Sequence, residues 1–448
     1  MRDTVRALAT FAQARWGLRF GDRQALLGWQ QRRIEWFLRT ALPAVPFYRE
    51  HAGAALDRLP IVDKATVRAN FVTFNSRGIE LDRALDVALA AERDRDFAPT
   101  IDGVTVGLSS GTSGMRSVFL VSDEERHRWA GLVLARLLIP SSLRQIVEPW
   151  KPPLRIAFFL RANSNLYETV GSRRIAFAFH DLVAPIDDHV RRLNAAAPHV
   201  LVAPPTVLRR LAAAANEGAL RIAPAQVVSV AEVLEPDDRA VIGGAFGVPI
   251  QEVYQASEGF LGVACFAGRL HLNEEYLHVE PEWLDDDHRL FRPIVTDFTR
   301  TCQLVVRYRL DDVLRDAAGP CPCGRVTRSL DGVEGRSDDV LWWPSTKDGA
   351  AHPVFPDVVR RSMALAGSGI EDYRIEQRGP VWTVSLDTST AQEAPARAAV
   401  RRELDALCGR LGLQPPVLRF EPWTPWPPIV KRRRIRCIEP LAAREVVA

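Results

Sequence analysis

From Arg23 to Ala41 (RQALLGWQQRRIEWFLRTA) apolar residues recur at helical spacing, and Arg and Gln fill the opposite face. Pro43 and Pro46 close that helix. The first twenty residues alternate charged with apolar positions, which predicts an amphipathic helix and not a leader peptide. A further short helix starts near Asp63, in LPIVDKATVRANF. Up to about Arg95 the chain reads as a helical layer in which no residue suggests chemistry. The period then shortens. Val104 and Val106 predict one strand and Val118 to Val121 another, on either side of the polar stretch SSGTSGMRS. Further strands are predicted at Arg155–Leu160, Ile175–Phe179, His199–Ala203 and Val227–Val230. Helices alternate with them: Asp123–Leu138, capped by Ser122 or Asp123, then Val207–Ala215, then one from about Pro236. This alternation predicts a largely parallel sheet covered on both faces, with ligands at the carboxyl ends of the strands.

Gln303 to Leu314 (QLVVRYRLDDVL) continues as strand alternation that ends in paired aspartates. From about Asp339 the pattern resets. VLWWPS comes first, then a helix near Pro356 to Leu365, a hairpin in YRIEQRGPVWTVSLDT, a helix over Ala394–Leu411 and a Pro/Trp-rich tail. This predicts a separate α+β domain of roughly a hundred residues. Composition agrees with that division. A length of 448 residues calls for two or more domains, and 47% hydrophobic with 25% charged residues is the balance of a globular protein. A net charge of +3 is too small to argue for nucleic acid or an anionic membrane. No apolar run reaches membrane-spanning length, so the cytoplasm is the default expectation. Six cysteines are too sparse for a disulfide framework.

Several stretches carry candidate chemistry. In Leu108–Val121, Ser109, Ser110, Thr112 and Ser113 surround Gly111 and Gly114. Glycine lets consecutive N–H groups turn inward, and with nearby hydroxyls they form a concave anion site suited to phosphate; a plain hairpin turn is the alternative. In IQEVYQASEGF, Ser257 and Glu258 fall in a polar turn after a short strand over Glu252–Tyr254, where a carboxylate could hold magnesium or simply face solvent. Cys265 and His271 precede a tight Cys321-Pro322-Cys323-Gly324 turn by about fifty residues. Three thiols and one imidazole suit a closed structural zinc site, the alternative being unrelated core cysteines. Asp311 and Asp312 could accept ribose hydroxyls, and Arg336 in GRSDD could meet phosphate at a hinge; a surface salt-bridge cluster or a hairpin turn is the plain alternative for each.

In order, SSGTSG, YQASEG, RYRLDD, GRSDD and a near-terminal lysine resemble the adenylate-forming superfamily of acyl-CoA ligases and adenylation domains. The resemblance runs from about Gln30 to Arg436. FYRE, LPIVDKATV, SEGFLGVACFAGRLHLNEE and CPCGR are similar to the phenylacetate–CoA ligase branch and to relatives that modify a deazaflavin coenzyme. It implies an α/β fold: a large N-terminal domain of mixed or parallel sheets flanked by helices, plus a small C-terminal α+β domain that rotates about a hinge. The implied boundaries are 1–337 (with 1–95 as the helical layer) and 338–448. The implied activity is ATP-dependent, AMP-forming activation of a carboxylic acid, aromatic acids included, followed by transfer to CoA or a carrier-protein phosphopantetheine thiol.

Roles follow position by position, as implications of that resemblance. Ser109, Ser110, Gly111, Thr112, Ser113 and Gly114 wrap the β- and γ-phosphates. Tyr254 lies against adenine, Ala231 and Glu232 border it, Ser257 touches the α-phosphate and Glu258 ligates magnesium. Asp312 holds the ribose, with Asp311 as the adjacent alternative, and Arg336 contacts ribose or phosphate. Asp338 is the hinge and Lys431 the catalytic lysine. Some members of that branch hold zinc on a set like Cys265, His271, Cys321 and Cys323. Asn163, Asn165, Tyr167, Phe177 and Phe179 fall where the superfamily binds its acid. The expected partners are a small-molecule acid and, for one choice of acceptor, an acyl carrier protein; a homodimer is one of the assembly states left open.

Departures from the pattern matter. Met115-Arg116-Ser117 replaces the usual Pro-Lys, so Arg116 is a candidate for that charge. Ser257 stands for threonine, Val430 replaces the glycine before the lysine, and Arg432, Arg433 and Arg434 compete with Lys431. Two other functions therefore stay in view: an adenylyltransferase that leaves AMP on a phenolic coenzyme or another oxyanion, and a nucleotide-binding scaffold without turnover.

Overall fold

The structure, a computed structural model, describes residues 2–108, 118–160, 165–367, 369–427 and 432–441. The chain divides into two compact units. The first comprises Met1–Leu310 and Arg315–Gly332, the second Asp311–Leu314 and Val333–Ala448.

The first unit opens with helices at Arg2–Ala12, Arg23–Thr40, Lys64–Ala69 and Leu81–Asp94. Local chemistry starts them: the Asp22 and Asp63 carboxylates accept the N–H groups of Ala25 and Thr66, each at 2.8 Å. The Arg23–Thr40 helix is then fastened to the Asn273–Leu277 turn. Gln30 Nε2 donates to the carbonyls of Glu274 (2.8 Å) and Leu277 (2.9 Å), and Arg23 pairs with the Glu274 carboxylate.

Strands Ile175–Asp181, Leu154–Leu160, Val200–Ala203, Gln226–Ser229 and Ile250–Ala256 lie side by side in that order and all run parallel. The central strands Val200–Ala203 and Gln226–Ser229 are buried at every position, as in a sheet covered on both faces by helices, among them Pro205–Asn216 and Pro236–Phe246. At Ile250–Ala256 the direction changes. Gly259–Ala264 pairs with it antiparallel, and Leu270–Leu272 pairs antiparallel with Gly259–Ala264. Leu277–Trp283, Leu290–Asp297 and Val305–Arg309 continue the antiparallel part. A separate three-stranded sheet holds Thr100–Ile101, Val104–Leu108 and Val118–Val121. One expectation needs adjustment: the strand read over Gln303–Leu314 is two strands, Val305–Arg309 and Asp312–Asp316. The break falls where the Leu310 N–H donates to the Pro293 carbonyl (3.0 Å) and Asp311 leaves the ladder.

In the second unit four strands order as Val417–Glu421, Val381–Asp387, Asp372–Arg378 and Ile435–Glu439. The two central strands form the antiparallel hairpin read from the sequence, and each outer strand joins parallel to its neighbour. Helices Pro356–Leu365 and Glu393–Arg410 supply the apolar faces that meet Trp382, Ile375 and Val384 in its core. Among the described residues no helix is long and apolar enough to cross a membrane.

Candidate functional site

Ser257 and Glu258 are the two-residue tip of the hairpin formed by Ile250–Ala256 and Gly259–Ala264, with Ala256 opposite Gly259. The tip therefore stands at the carboxyl end of the last parallel strand, where the sheet turns antiparallel. Tyr254, two residues back, is buried. In the neighbouring parallel strand, Gln226–Ser229 leads into Val230, Ala231 and Glu232. Ala231 has a φ of +68°, a left-handed conformation that costs energy in a residue with a Cβ. Its loop is held by the Glu232 N–H donating to the Val230 carbonyl (2.9 Å). The Glu232 carboxylate accepts from Thr206 Oγ1 (2.5 Å) and N (3.3 Å), at the start of the Pro205–Asn216 helix. So Glu232 anchors the loop through one oxygen of its carboxylate. Beside it, the buried Ser229 hydroxyl has no hydrogen-bond partner among the described residues.

Ser109, Ser110, Gly111, Thr112, Ser113, Gly114, Met115, Arg116, Asn163, Val430 and Lys431 lie outside the described residues, as do the side chains of Asn165 and Asp338. Tyr167 is packed between Trp129 (ring centroids 5.6 Å apart) and Phe158 (4.9 Å), and Phe158 lies 5.5 Å from Phe177. Burial pushes the Tyr167 hydroxyl up to about 12, so it stays protonated. Phe179 pairs instead with Phe97, at 6.3 Å.

In the second unit, Arg336 donates to the Asp311 carboxylate at 2.7 Å, and the Ser337 N–H to the Asp311 carbonyl at 2.5 Å. Asp311 is thereby engaged with the GRSDD turn, while Asp312 opens the next strand. The basic run is partnered as well. Arg433 Nε donates to Asp339 (2.8 Å), Arg434 Nε to Asp372 (2.7 Å), and Arg432 lies 3.5 Å from Asp372. All three arginines that compete with Lys431 thus have carboxylate partners within their own unit.

Cys265, His271, Cys321 and Cys323 converge, their donor atoms all within 4.8 Å of one another. Cys265 Sγ and Cys321 Sγ are 3.6 Å apart, and Cys323 Sγ is 3.3 Å from His271 Nε2. A tetrahedral zinc ion with ordinary bond lengths sets these edges at about 3.8 Å and about 3.6 Å, so the donor set fits zinc. Two tight turns build it. The Gly268 N–H donates to the Cys265 carbonyl (2.9 Å) and the Gly324 N–H to the Cys321 carbonyl (3.1 Å); Gly324 holds a φ of +75° there. His271 Nδ1 lies 3.2 Å from the Thr327 carbonyl, which fixes the proton on Nδ1 and turns the Nε2 lone pair toward the sulfurs. Burial pushes His271 down to about 4, keeping it neutral near pH 7. The Thr327 hydroxyl lies 3.1 Å from the same Nδ1, a contact the sequence does not signal because Thr327 is 56 positions from His271.

Neither a protein-family model nor a curated protein sequence matches the chain. Solved structures do. The chain is similar to 2-hydroxyisobutyryl-CoA ligase in its postadenylation state, with TM-score 0.64, 16% identity, and 93% of this chain and 89% of that one covered. The chain has the adenylate-forming fold. An open form of the same ligase, with an adenylate and CoA, has TM-score 0.55 at 16% identity, covering 93% and 91%. The chain is also similar to the GH3.15 acyl acid amido synthetase, with TM-score 0.59, 13% identity and coverage of 92% and 91%.

Proposed function

We propose that this chain is an ATP-dependent, AMP-forming ligase for a carboxylic acid. The observation that carries the reading is the placement of Ser257–Glu258 and of the strained Ala231 loop. Both follow the carboxyl ends of adjacent parallel strands, Ile250–Ala256 and Gln226–Ser229, within the adenylate-forming fold. In such sheets that edge is where a ligand sits.

The chemistry assigned to these residues is as follows. A carboxylate oxygen of the acid attacks the α-phosphorus, the bond to the bridging oxygen of the β-phosphate breaks, and pyrophosphate leaves. The obstacle is charge, because an anion approaches a polyanion. The Ser109–Gly114 stretch is assigned to hold the β- and γ-phosphates, and Lys431 to neutralise charge on the attacked phosphate. Tyr254 and the backbone of Ala231 and Glu232 are assigned to adenine, Asp312 and Arg336 to the ribose side, and Ser257 to the α-phosphate. Glu258 supplies the hard oxygen donor that magnesium requires, and bound magnesium would offset phosphate charge. The Cys265–His271–Cys321–Cys323 set is assigned a structural zinc. With all four positions filled by protein it is closed to substrate, so its role is to clamp two distant segments.

In the second half-reaction a thiol sulfur attacks the acyl carbonyl and AMP departs. The same fold serves a CoA ligase and an amido synthetase, so the acceptor is the part of the reading decided by experiment. CoA or a carrier-protein thiol is the first choice. The Trp129–Tyr167–Phe158–Phe177 nest supports an aromatic or otherwise planar acid. Acid-dependent exchange of pyrophosphate into ATP, followed by thioester and AMP release on adding CoA, tests both halves. AMP found covalently on the acceptor would replace this reading with adenylyl transfer.

A further inference from the structure

Val118–Val121 is the edge strand of its three-stranded sheet, with Leu120 opposite Val106. Leu120 is fully buried, so its backbone groups need partners. Among the described residues no strand supplies them on the outer side. The Leu120 N–H donates to Gln303 Oε1 at 2.9 Å, and the Leu120 carbonyl accepts from Arg300 at 2.8 Å. Two buried side chains thus stand in for a neighbouring strand.

The turn that carries them is itself fixed. Glu125, in the first turn of the helix after this strand, accepts the N–H groups of Thr301 (2.5 Å) and Cys302 (2.9 Å) through one oxygen. Its other oxygen accepts from Ser122 N (2.7 Å) and Oγ (3.0 Å). Arg128 donates to the Thr299 carbonyl at 2.6 Å. At the start of the turn, Asp297 Oδ1 accepts from Thr299 N (2.8 Å) and Oγ1 (2.6 Å). Its Oδ2 lies against Gly259, so close that a Cβ there would stand 3.2 Å away. Gly259 is the residue after Glu258. One turn, Asp297 to Gln303, buried except at Thr299 and Thr301, therefore reaches the Ser257–Glu258 hairpin at one end and the Val118–Val121 strand at the other.

We propose that Arg300 and Gln303 are positioning residues for Mg-ATP, setting the strand that follows the Ser109–Gly114 stretch in fixed register with the Ser257–Glu258 tip. This rests on the nucleotide reading given above. Neither side chain touches nucleotide. Each acts through Leu120, and phosphate transfer is sensitive to displacements of about 1 Å.

Gln303→Leu removes the acceptor of the Leu120 N–H, Gln303→Glu keeps one, and Arg300→Lys retains the charge without the forked geometry. The readouts are the KM values for Mg-ATP, pyrophosphate and acid in the exchange assay, plus hydrogen exchange at the Leu120 amide. Gln303→Leu is expected to raise the Mg-ATP KM about tenfold, the cost of one lost buried hydrogen bond expressed as a shift. The acid KM stays put, the Leu120 amide exchanges faster, and Gln303→Glu restores both. If Gln303→Leu does not fold, Arg300→Lys carries the test with the same direction. A variant whose Leu120 amide is deprotected while its Mg-ATP KM is that of wild type overturns the proposal. If wild-type protein neither binds Mg-ATP nor exchanges, the nucleotide reading itself falls, which separates the two failures.

Discussion

His180 and His189 meet inside the first unit with their Nδ1 atoms 3.3 Å apart, both nearly inaccessible to water. His189 Nε2 lies 3.0 Å from the Asp181 carbonyl and must donate to it, so its Nδ1 accepts and His180 Nδ1 donates. Burial, then Arg192 and His189, push His180 down to about 3. In the unfolded chain the same group titrates near 6.5, so between those values the unfolded state binds the extra proton. Stability is therefore complete at neutral pH and falls as the pH drops below about 6.5. This group alone is expected to cost about 2 kcal/mol between pH 7.5 and 5, read from urea unfolding. His180→Gln should flatten that dependence; equal losses in both proteins would remove the basis for it. At Lys431 the prediction concerns chemistry. With Arg432, Arg433 and Arg434 held by Asp372 and Asp339, Lys431→Ala is expected to lower adenylate formation by about 10²- to 10³-fold. Thioester formation from a preformed adenylate should survive. Equal loss of both halves, or a larger loss in Arg433→Ala, contradicts the assignment.

At the scale of elements, the Cys265 and Cys321 turns make a prediction about composition. Purified protein should carry about one zinc per chain, and a chelator should lower its melting temperature. Under about half an equivalent rejects the closed four-ligand site. The convergence of these four side chains was legible in the sequence because thiols and imidazoles are rare and their chemistry is specific. Helix starts were legible for a different reason. Asp22, Asp63 and the Ser122–Glu125 box act within three residues, so the signal is local. The hairpin tip at Ser257–Glu258 was legible as a polar turn, though not as the point where the sheet turns antiparallel. What stayed hidden acts across distance. Gln303 and Arg300 grip a strand some 180 positions earlier, and an isolated Gln at the edge of an apolar run gives no periodicity to read. The role of the Glu232 side chain was hidden likewise, since its partner Thr206 opens another helix.

For the whole molecule, the alternating strand and helix pattern led to an α/β body with a smaller α+β unit, and the chain has the adenylate-forming fold. The sheet is more mixed than a parallel reading suggests, because Gly259–Ala264, Leu270–Leu272 and Leu277–Trp283 pair antiparallel, and Leu270–Leu272 takes Ser329–Arg336, far along the chain, as its other neighbour. The fold alone admits more than one acceptor, and the reaction's first half is what the proposed site must perform. The direct measurement is magnesium-dependent exchange of labelled pyrophosphate into ATP across a panel of carboxylic acids. The account predicts exchange that requires one class of acid, planar or aromatic, and that disappears in Lys431→Ala and Glu258→Ala. Mg-ATP binding with no exchange for any acid in the panel would contradict it.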